Sequence, residues 1–346
     1  MRAAAPVLMP NTPTLHWDAW TLQARLAPLL PGLRVEVVAS VGSTSTELLE
    51  RVRRAGNALL PGQTDAELSP CLLVAEHQTQ GRGRQGKDWQ SSVGASLTFS
   101  LALPLAPPDW SGLSLAVGLA LAEALDPARP GLPPRLGLKW PNDLLLRDTT
   151  SGTPGPTGPI DPPGQANTTG PIGRKLGGIL IETVMLGRQR VAVIGIGLNL
   201  RPQTTPGLSW GYACLQELSP GLDAPAALAA VAPPLLRALR AFERHGFAPL
   251  HQRFAARDLL LGRRVLTSLP GMPGGLADGV DQTGKLWLRV SGDAAGSPGE
   301  RRVPVTSGEI SLRADLGSDT APAPSPELPS ELPPARPPAP PSPTPC

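Results

Sequence analysis

Residues 96–103, SLTFSLAL, alternate polar and apolar side chains at a period of two, which predicts a half-buried strand. Residues 33–39 alternate in the same way, and 71–74 form a short apolar run of strand length. Further apolar strands are predicted at 179–184 and 190–200, joined by Leu186-Gly187-Arg188-Gln189 as a hairpin. Gly195 and Gly197 interrupt the second of these, and glycine inside a strand marks close approach by a ligand or another backbone. Helical patterning appears between the strands. The first helix covers 18–30, with Asp18 as N-cap and Pro31-Gly32 as the stop. The next opens at Ser43-Thr44-Ser45-Thr46-Glu47, where Thr44 and Glu47 have capping-box spacing and Leu48, Leu49 and Val52 supply the apolar side. Others are predicted at 110–125, at 224–244 with Pro233-Pro234 limiting its regularity, and at 247–261. Between them, 136–146 reads as a strand broken at Pro141, with a turn at Asn142-Asp143. From Gly262 onward RRVLTSL, KLWLRV and RRVPVTSGEISL are short β runs separated by Gly/Asp turns, the pattern of a small barrel-like domain.

Two stretches break this rhythm. Residues 147–173 are Gly, Pro, Thr and Asp with almost nothing to bury, so a disordered insertion is expected. From 314 to 346 the chain is mostly Pro, Ala, Ser and Glu, and an extended, mobile tail is expected. The chain of 346 residues suffices for one large domain and a small one. Its net charge of +3 without a long basic run does not demand a nucleic-acid role. Cys71, Cys214 and Cys346 are odd in number and widely spaced, which matches neither a disulfide framework nor a metal site. No apolar run is long enough for a membrane span and the N-terminus lacks a secretory pattern, so a cytoplasmic protein is expected.

Candidate chemistry concentrates in 75–91, AEHQTQGRGRQGKDWQS. Glycines here allow close backbone approach, and the cations offer a grip on an anion. Gly81, Gly83 and Gly86 match a dinucleotide fingerprint, but that motif needs a helix to follow and here a strand pattern does. The segment 81–87 also matches G-x-x-x-x-G-K, but Asp88 replaces the hydroxyl that would ligate Mg²⁺. An exposed Arg/Gly turn without a ligand is the plain alternative. Lysine occurs only at Lys87, Lys139, Lys175 and Lys285 in a chain that otherwise uses arginine. The first three lie in or beside motif-rich stretches, which suggests positions needing a compact ammonium.

Four stretches in order carry a sharper signal: STST at 43–46, EHQTQGRGRQGKDW at 76–89, KWPNDLLL at 139–146 followed by RKLGGILIE at 174–182, and GIGLNL at 195–200. Together with SGEISL near the C-terminus they resemble the biotin protein ligases, biotin–[acetyl-CoA-carboxylase] ligase, over roughly 22–312. The resemblance implies an α/β (α+β) catalytic domain with a mixed central sheet, related to class II aminoacyl-tRNA synthetases, plus a small C-terminal SH3-like β barrel. It sets domain limits of 14–261, with the insertion at 147–173, then 262–313, then the tail at 314–346. It implies conversion of biotin and ATP to biotinyl-5′-AMP, then transfer to a lysine of a biotin carboxyl carrier domain. By the same resemblance Arg84 and Lys175 are catalytic and face the carboxylate and the developing adenylate. Ser43, Thr44, Ser45 and Gln78 hold biotin's ring system. Gly81, Arg82, Gly83 and Arg84 form a closing loop, covered by Trp89. Gly178, Gly195 and Gly197 leave room for the bicyclic ring, with Ile179 and Leu180 as an apolar wall. Lys139 and Asn142 map to ATP, Asn199 to adenosine, and Asp143 to Mg²⁺.

Some positions depart from the family pattern. Ser45 stands where asparagine is usual, and Gln85 and Lys87-Asp88 stand where arginine or lysine is frequent. A lipoate ligase is the nearest alternative, and KWPND with GRGR favours biotin. A bifunctional ligase and DNA-binding repressor would need a winged helix of roughly sixty more residues ahead of the first helix and strand. No nucleic-acid or membrane partner is therefore expected, and a homodimer is left open.

Overall fold

The computed structural model describes residues 15–58, 69–147, 172–203, 211–269, 272–290, 301–305 and 313–314. Most of the predicted insertion, and the tail beyond 314, lie outside them. Both sheets described below belong to one compact unit, Met1–Leu316; the second unit, Gly317–Cys346, lies outside the described residues.

Seven strands form the central sheet: β1 (Arg34–Val41), β2 (Cys71–Gln78), β3 (Ser96–Pro104), β4 (Leu136–Lys139), β5 (Asp143–Leu146), β6 (Arg174–Leu186) and β7 (Gln189–Asn199). Their order is β1-β2-β3-β7-β6-β5-β4. Only β1 and β2 run parallel; all other neighbours are antiparallel, so the sheet is mixed as expected. The period-two alternation sorts side chains onto two faces. Leu97, Phe99, Leu101 and Leu103 of β3 join Ile194, Ile196 and Leu198 of β7 in the larger core. That core is closed by α1 (Ala19–Leu26), α3 (Leu113–Leu125) and α4 (Ala224–His245), whose apolar positions pack into it. On the opposite face α2 (Thr44–Asn57) buries Leu48, Leu49 and Val52 against Cys71, Leu73, Ala102 and Val193.

Several elements differ from their sequence patterns. The cap of α2 is Ser43, whose hydroxyl accepts from the Thr46 N–H, and Thr44 is the first helical residue. Thr44 turns inward because its hydroxyl finds buried partners on β2 and β3. The helix α4 runs straight through Pro233 and Pro234, since burial of Val231, Leu235, Leu236 and Leu239 outweighs the lost donors. The helix predicted over 247–261 shrinks to a 3-10 turn and α5 (His251–Ala255). Beyond it the backbone pairs with the outer edge of β4: Leu138 N–H donates to Arg257 O at 2.8 Å, and Leu259 N–H to Leu138 O at 3.0 Å. Edge pairing satisfies backbone groups that a longer helix would have left open on β4.

A second sheet contains β8 (Arg264–Leu269), β9 (Met272–Val280), β10 (Leu286–Val290), β11 (Arg301–Val305) and β12 (Arg313–Ala314), in the order β11-β10-β9-β8-β12. Strand β9 carries three glycines and has no clear alternation, so the pattern alone reads it as turn. Among the described residues β11 and β12 stand at opposite edges and do not pair, which leaves the sheet open. No described helix is long and apolar enough to cross a membrane.

Candidate active site

The face of the central sheet under α2 changes chemistry along its strands. Beneath the body of the helix the cross-strand row is Cys71, Ala102, Val193 and Glu182. One pleat further toward the helix N-terminus it becomes Leu73, Ser100, Gly195 and Leu180, and the next row is Ala75, Thr98, Gly197, Gly178 and Asp143. Directly opposed residues share a face, so hydroxyls and glycines from four strands form one floor. The N-terminus of α2 stands over this floor and brings a concentration of N–H donors and positive potential.

The hydroxyl cluster is tightly bonded. Gln78 Oε1 accepts from the Thr44 N–H at 2.7 Å and from its hydroxyl at 3.1 Å. Ser100 Oγ lies 2.7 Å from Thr44 Oγ1 and 2.9 Å from Ser45 Oγ. Thr44, Ser45, Gln78 and Ser100 are all buried. The family resemblance did not single out Ser100; its signal was the polar phase Ser96-Thr98-Ser100 in an otherwise apolar strand. Gly195 and Gly197 are small for steric reasons. A Cβ on Gly195 would lie 2.4 Å from Ser45 Oγ, and one on Gly197 would lie 2.3 Å from the Trp89 ring. Trp89 thus rests flat on the floor, and its buried indole Nε1 has no hydrogen-bond partner among the described residues. The space above Gly195 and Gly197 is thus taken by Ser45 and the Trp89 ring, not left open for a bicyclic ring as the resemblance implies. Ile179 is not part of this wall. Adjacent residues in a strand face opposite ways, and a Cβ on Gly118 of α3 would meet Ile179 Cδ1 at 3.4 Å, on the core side. Leu180 remains on the floor side.

The glycine-rich loop folds back on itself. Gly83 N–H donates to Lys87 O at 2.6 Å, and Trp89 N–H to Gly81 O at 2.9 Å. A Cβ on Gly81 would sit 2.2 Å from Trp89 O, so only glycine fits there. Between these bonds lies a single 3-10 turn, Arg84–Gly86, with Gln85 at φ 55. Arg82 and Arg84 leave the loop for different partners. Arg82 pairs with Glu182 on β6 at 3.2 Å and reaches Thr46 Oγ1 at 3.4 Å. Glu182 is a partner that no motif marks. Arg84 Nη1 donates to Asn142 Oδ1 at 3.2 Å, and burial pushes its guanidinium below the ordinary range. A cleft of about 1120 Å³ opens beside the loop, lined by Ser43, Thr46, Gln78, Gly81, Arg82 and Trp89 among others.

The turn between β4 and β5 assembles the charges. Asn142 is bonded to β6 twice, from its amide to Ile179 O at 2.8 Å and from Ile179 N–H to its own carbonyl at 3.0 Å. Asp143 Oδ1 lies 2.8 Å from Lys175 Nζ, and its Oδ2 lies 3.3 Å from Lys139 Nζ. Burial works against the Asp143 carboxylate, but the two ammoniums more than offset it and hold its pKa below the usual value. Burial lowers the pKa of Lys139, with Asp143 opposing the shift. Both carboxylate oxygens therefore face cations, and no group of three His, Cys, Asp or Glu suited to a metal occurs among the described residues. Asp143 is placed as a counter-ion between two lysines, an arrangement that does not fit the Mg²⁺ ligand expected from the motif. Asn199 is buried, and its amide donates to Lys175 O at 3.1 Å and to Ala213 O at 3.0 Å. It thus ties the start of β6 to 211–213.

Most of the sites named from the sequence, Ile179 excepted, thus gather at one face of one sheet, with cations converging from a loop, β4 and β6. Residues 63–199 match the model of the Biotin/lipoate A/B protein ligase family. A biotin–[acetyl-CoA-carboxylase] ligase from Mycobacterium tuberculosis is 32% identical over 292 residues, covering 80% of this chain and 88% of that protein. The bifunctional ligase/repressor BirA of Escherichia coli is 31% identical, with 82% and 76% covered. Among solved structures, a biotin protein ligase from Aquifex aeolicus in complex with biotin and ATP covers 81% of this chain and 99% of its own at a TM-score of 0.56; at 24% identity it speaks to the fold. With that extent of identity along nearly a whole relative, and with hydroxyls, small residues and cations gathered at one sheet face in the matching stretches, the chain belongs to the biotin protein ligase family.

Proposed function

We propose that this chain is an ATP-dependent biotin protein ligase whose reaction takes place on the floor under the N-terminus of α2. The observation that carries the reading is the convergence of Arg84, Lys139 and Lys175 around Asn142 and Asp143, on the sheet face that also carries the buried cluster of Thr44, Ser45, Gln78 and Ser100. In the first step the biotin carboxylate attacks the α-phosphorus of ATP. A carboxylate-oxygen-to-phosphorus bond forms, the bond to the β-phosphate bridge breaks, and pyrophosphate leaves. Two anions must meet for this, which requires fixed positive charge arranged before the reaction. Lys175 and Arg84 supply it at the carboxylate and the developing adenylate, and Lys139 and Asn142 at the nucleotide, with Asn199 on the adenosine side. Ser43, Thr44, Ser45 and Gln78 hold the ureido–thiophene end, Leu180 walls it, and Trp89 covers it. Gly81, Arg82 and Gly83 carry the closing loop. In the second step a lysine amine of the acceptor attacks the acyl carbon and AMP departs. The acceptor is the biotin carboxyl carrier domain of acetyl-CoA carboxylase or a similar enzyme. Mg²⁺ enters as the phosphate complex of ATP, as part of the substrate.

The finer architecture follows the same reading. The catalytic domain spans 14–261, and 262–313 make a small second domain of the SH3-like kind, whose sheet is open among the described residues. The enzyme works in the cytoplasm. The decisive experiment is biotin-dependent exchange of labelled pyrophosphate into ATP, followed by transfer of biotin to a purified carrier domain. Exchange that proceeds with lipoate in place of biotin, or no exchange at all, overturns the reading.

A further inference from the structure

The β4–β5 turn that carries Lys139, Asn142 and Asp143 is held from a direction the motif does not show. Trp140, in the middle of the turn, is 1% exposed, and its indole N–H donates to Gly284 O at 3.1 Å across 144 residues of sequence. Gly284 belongs to the tight turn between β9 and β10. Asp281 organises that turn by accepting from the N–H groups of Thr283 at 2.8 Å and Lys285 at 3.1 Å and from the Trp287 indole at 2.9 Å. The turn is wedged rather than loosely apposed. Gly284 has φ +85, and a Cβ there would lie 2.6 Å from the Gly112 Cα at the N-terminus of α3. Gly112 itself has φ +80 and would meet Phe247 at 2.8 Å. A second clamp acts on the same strand. Leu138 exchanges backbone bonds with Arg257 and Leu259, and a Cβ on Gly137 would lie 2.4 Å from the Leu259 side chain. The segment making this clamp runs directly into β8.

We propose that Trp140 is a positioning residue for the nucleotide side of the site, its indole fastening the Lys139–Asp143 turn to the β9–β10 turn. The inference rests on the proposed ligase reading, in which Lys139 and Asn142 face ATP. The floor that holds biotin is built by β3, β6, β7 and the N-terminus of α2, and the bonds within its cluster of Thr44, Ser45, Gln78 and Ser100 do not involve the second sheet. Loss of the link therefore separates the two substrates. Trp140→Phe keeps the ring and removes the donor. Its net loss of one buried hydrogen bond predicts a rise of roughly three- to tenfold in the KM for ATP in pyrophosphate exchange. The KM for biotin stays as in the unmutated enzyme. Trp287→Phe approaches the link from the other side by releasing Asp281, and raises the ATP KM in the same direction. The double variant falls short of the product of the two single effects, as expected for residues acting through one contact.

The test is pyrophosphate exchange on the full chain, varying ATP and biotin in turn for each variant. An unchanged ATP KM in Trp140→Phe overturns the inference. So does a parallel rise for both substrates, which marks general loosening, or a double variant whose effects simply multiply. Absence of exchange in the unmutated chain overturns the ligase reading instead, and the positioning role with it.

Discussion

Asp143 shows how one carboxylate organises a site. It lies between Lys175 and Lys139 and keeps two like charges close without mutual repulsion dominating. Lys175 is the more accessible of the two lysines, so it is the one free to turn toward a bound carboxylate. Replacing Lys175 with alanine lowers the rate of biotin-dependent exchange by about 10²–10³-fold, the scale of removing one transition-state donor. Rates within a few-fold of the unmutated enzyme would remove Lys175 from contact with the reacting groups. The task proposed for Arg84 is different. Biotinyl-5′-AMP is a mixed anhydride that water attacks, and a loop closed over it must exclude solvent until the acceptor arrives. With its guanidinium on Asn142, Arg84 ties the loop to the charged turn. Arg84→Gly therefore still forms some adenylate but releases it faster, and lysines of unrelated proteins become labelled. The release rate of preformed adenylate and the biotinylation of a non-substrate protein measure this; unchanged values for both contradict the closing role.

At the scale of elements, the strand edges decide where rigidity is needed. β4 is the last strand of the large sheet, and an unpaired edge there would leave Lys139 on a mobile ribbon. Arg257 prevents this. It is buried with Asp126, pairs with it at 3.2 Å, and donates to Leu136 O at 2.8 Å while its own carbonyl receives Leu138 N–H. Arg257→Ala leaves Asp126 buried and short of its main partner, so it destabilises the protein by about 3–5 kcal/mol. Denaturant midpoints measure this loss, and a change within experimental error would show that the pair is not needed to fasten the edge. The mixed sheet itself follows from connection lengths. Among neighbouring strands that follow each other in the chain, only β1 and β2 have a described α-helix between them, α2, and only they run parallel.

Across the whole molecule, the junction between the two sheets carries a titratable strain. Asp258 bridges to Leu138 on the edge of β4 in the segment that leads from α5 to β8, and burial raises its carboxyl from the ordinary 3.8 to about 6. Between those values the folded chain holds a proton that the unfolded chain has released, so stability falls as pH rises through that window. Above about pH 6 the cost of the buried charge is complete. Asp258→Asn removes the charge and retains an acceptor for Leu260 N–H, which Asp258 Oδ1 now receives at 2.8 Å. The variant therefore melts higher than the unmutated protein at about pH 8, and the gap closes as pH falls toward 4. A gap that is constant across pH would show that Asp258 does not titrate in this range.

Much of this arrangement was legible in local pattern. The alternation in 96–103 separates Leu97, Phe99 and Leu101 from Ser96, Thr98 and Ser100, and the structure places those two phases on opposite faces. The glycines at 195 and 197, read as points of close approach, meet Ser45 and Trp89. Periodicity and turn chemistry act over a few residues, and for that reason a sequence displays them. Other features depend on groups far apart in the chain. Thr44 could as well have capped its own helix; the hydroxyl of Ser100, 56 residues away, draws it inward. Asp143 reads as a metal ligand beside a nucleotide motif until two lysines are seen on its two oxygens. Glu182 is an ordinary strand residue until Arg82 arrives from 100 residues away. The helix expected over 247–261 ends early because an open edge on β4 competes for its backbone. By itself the sequence determined which faces are apolar, where the chain turns and which motifs belong together, because these depend on the covalent neighbourhood. Only the tertiary structure decided which buried polar groups and charges satisfy one another, because burying such a group is costly until a partner from elsewhere in the chain is brought to it.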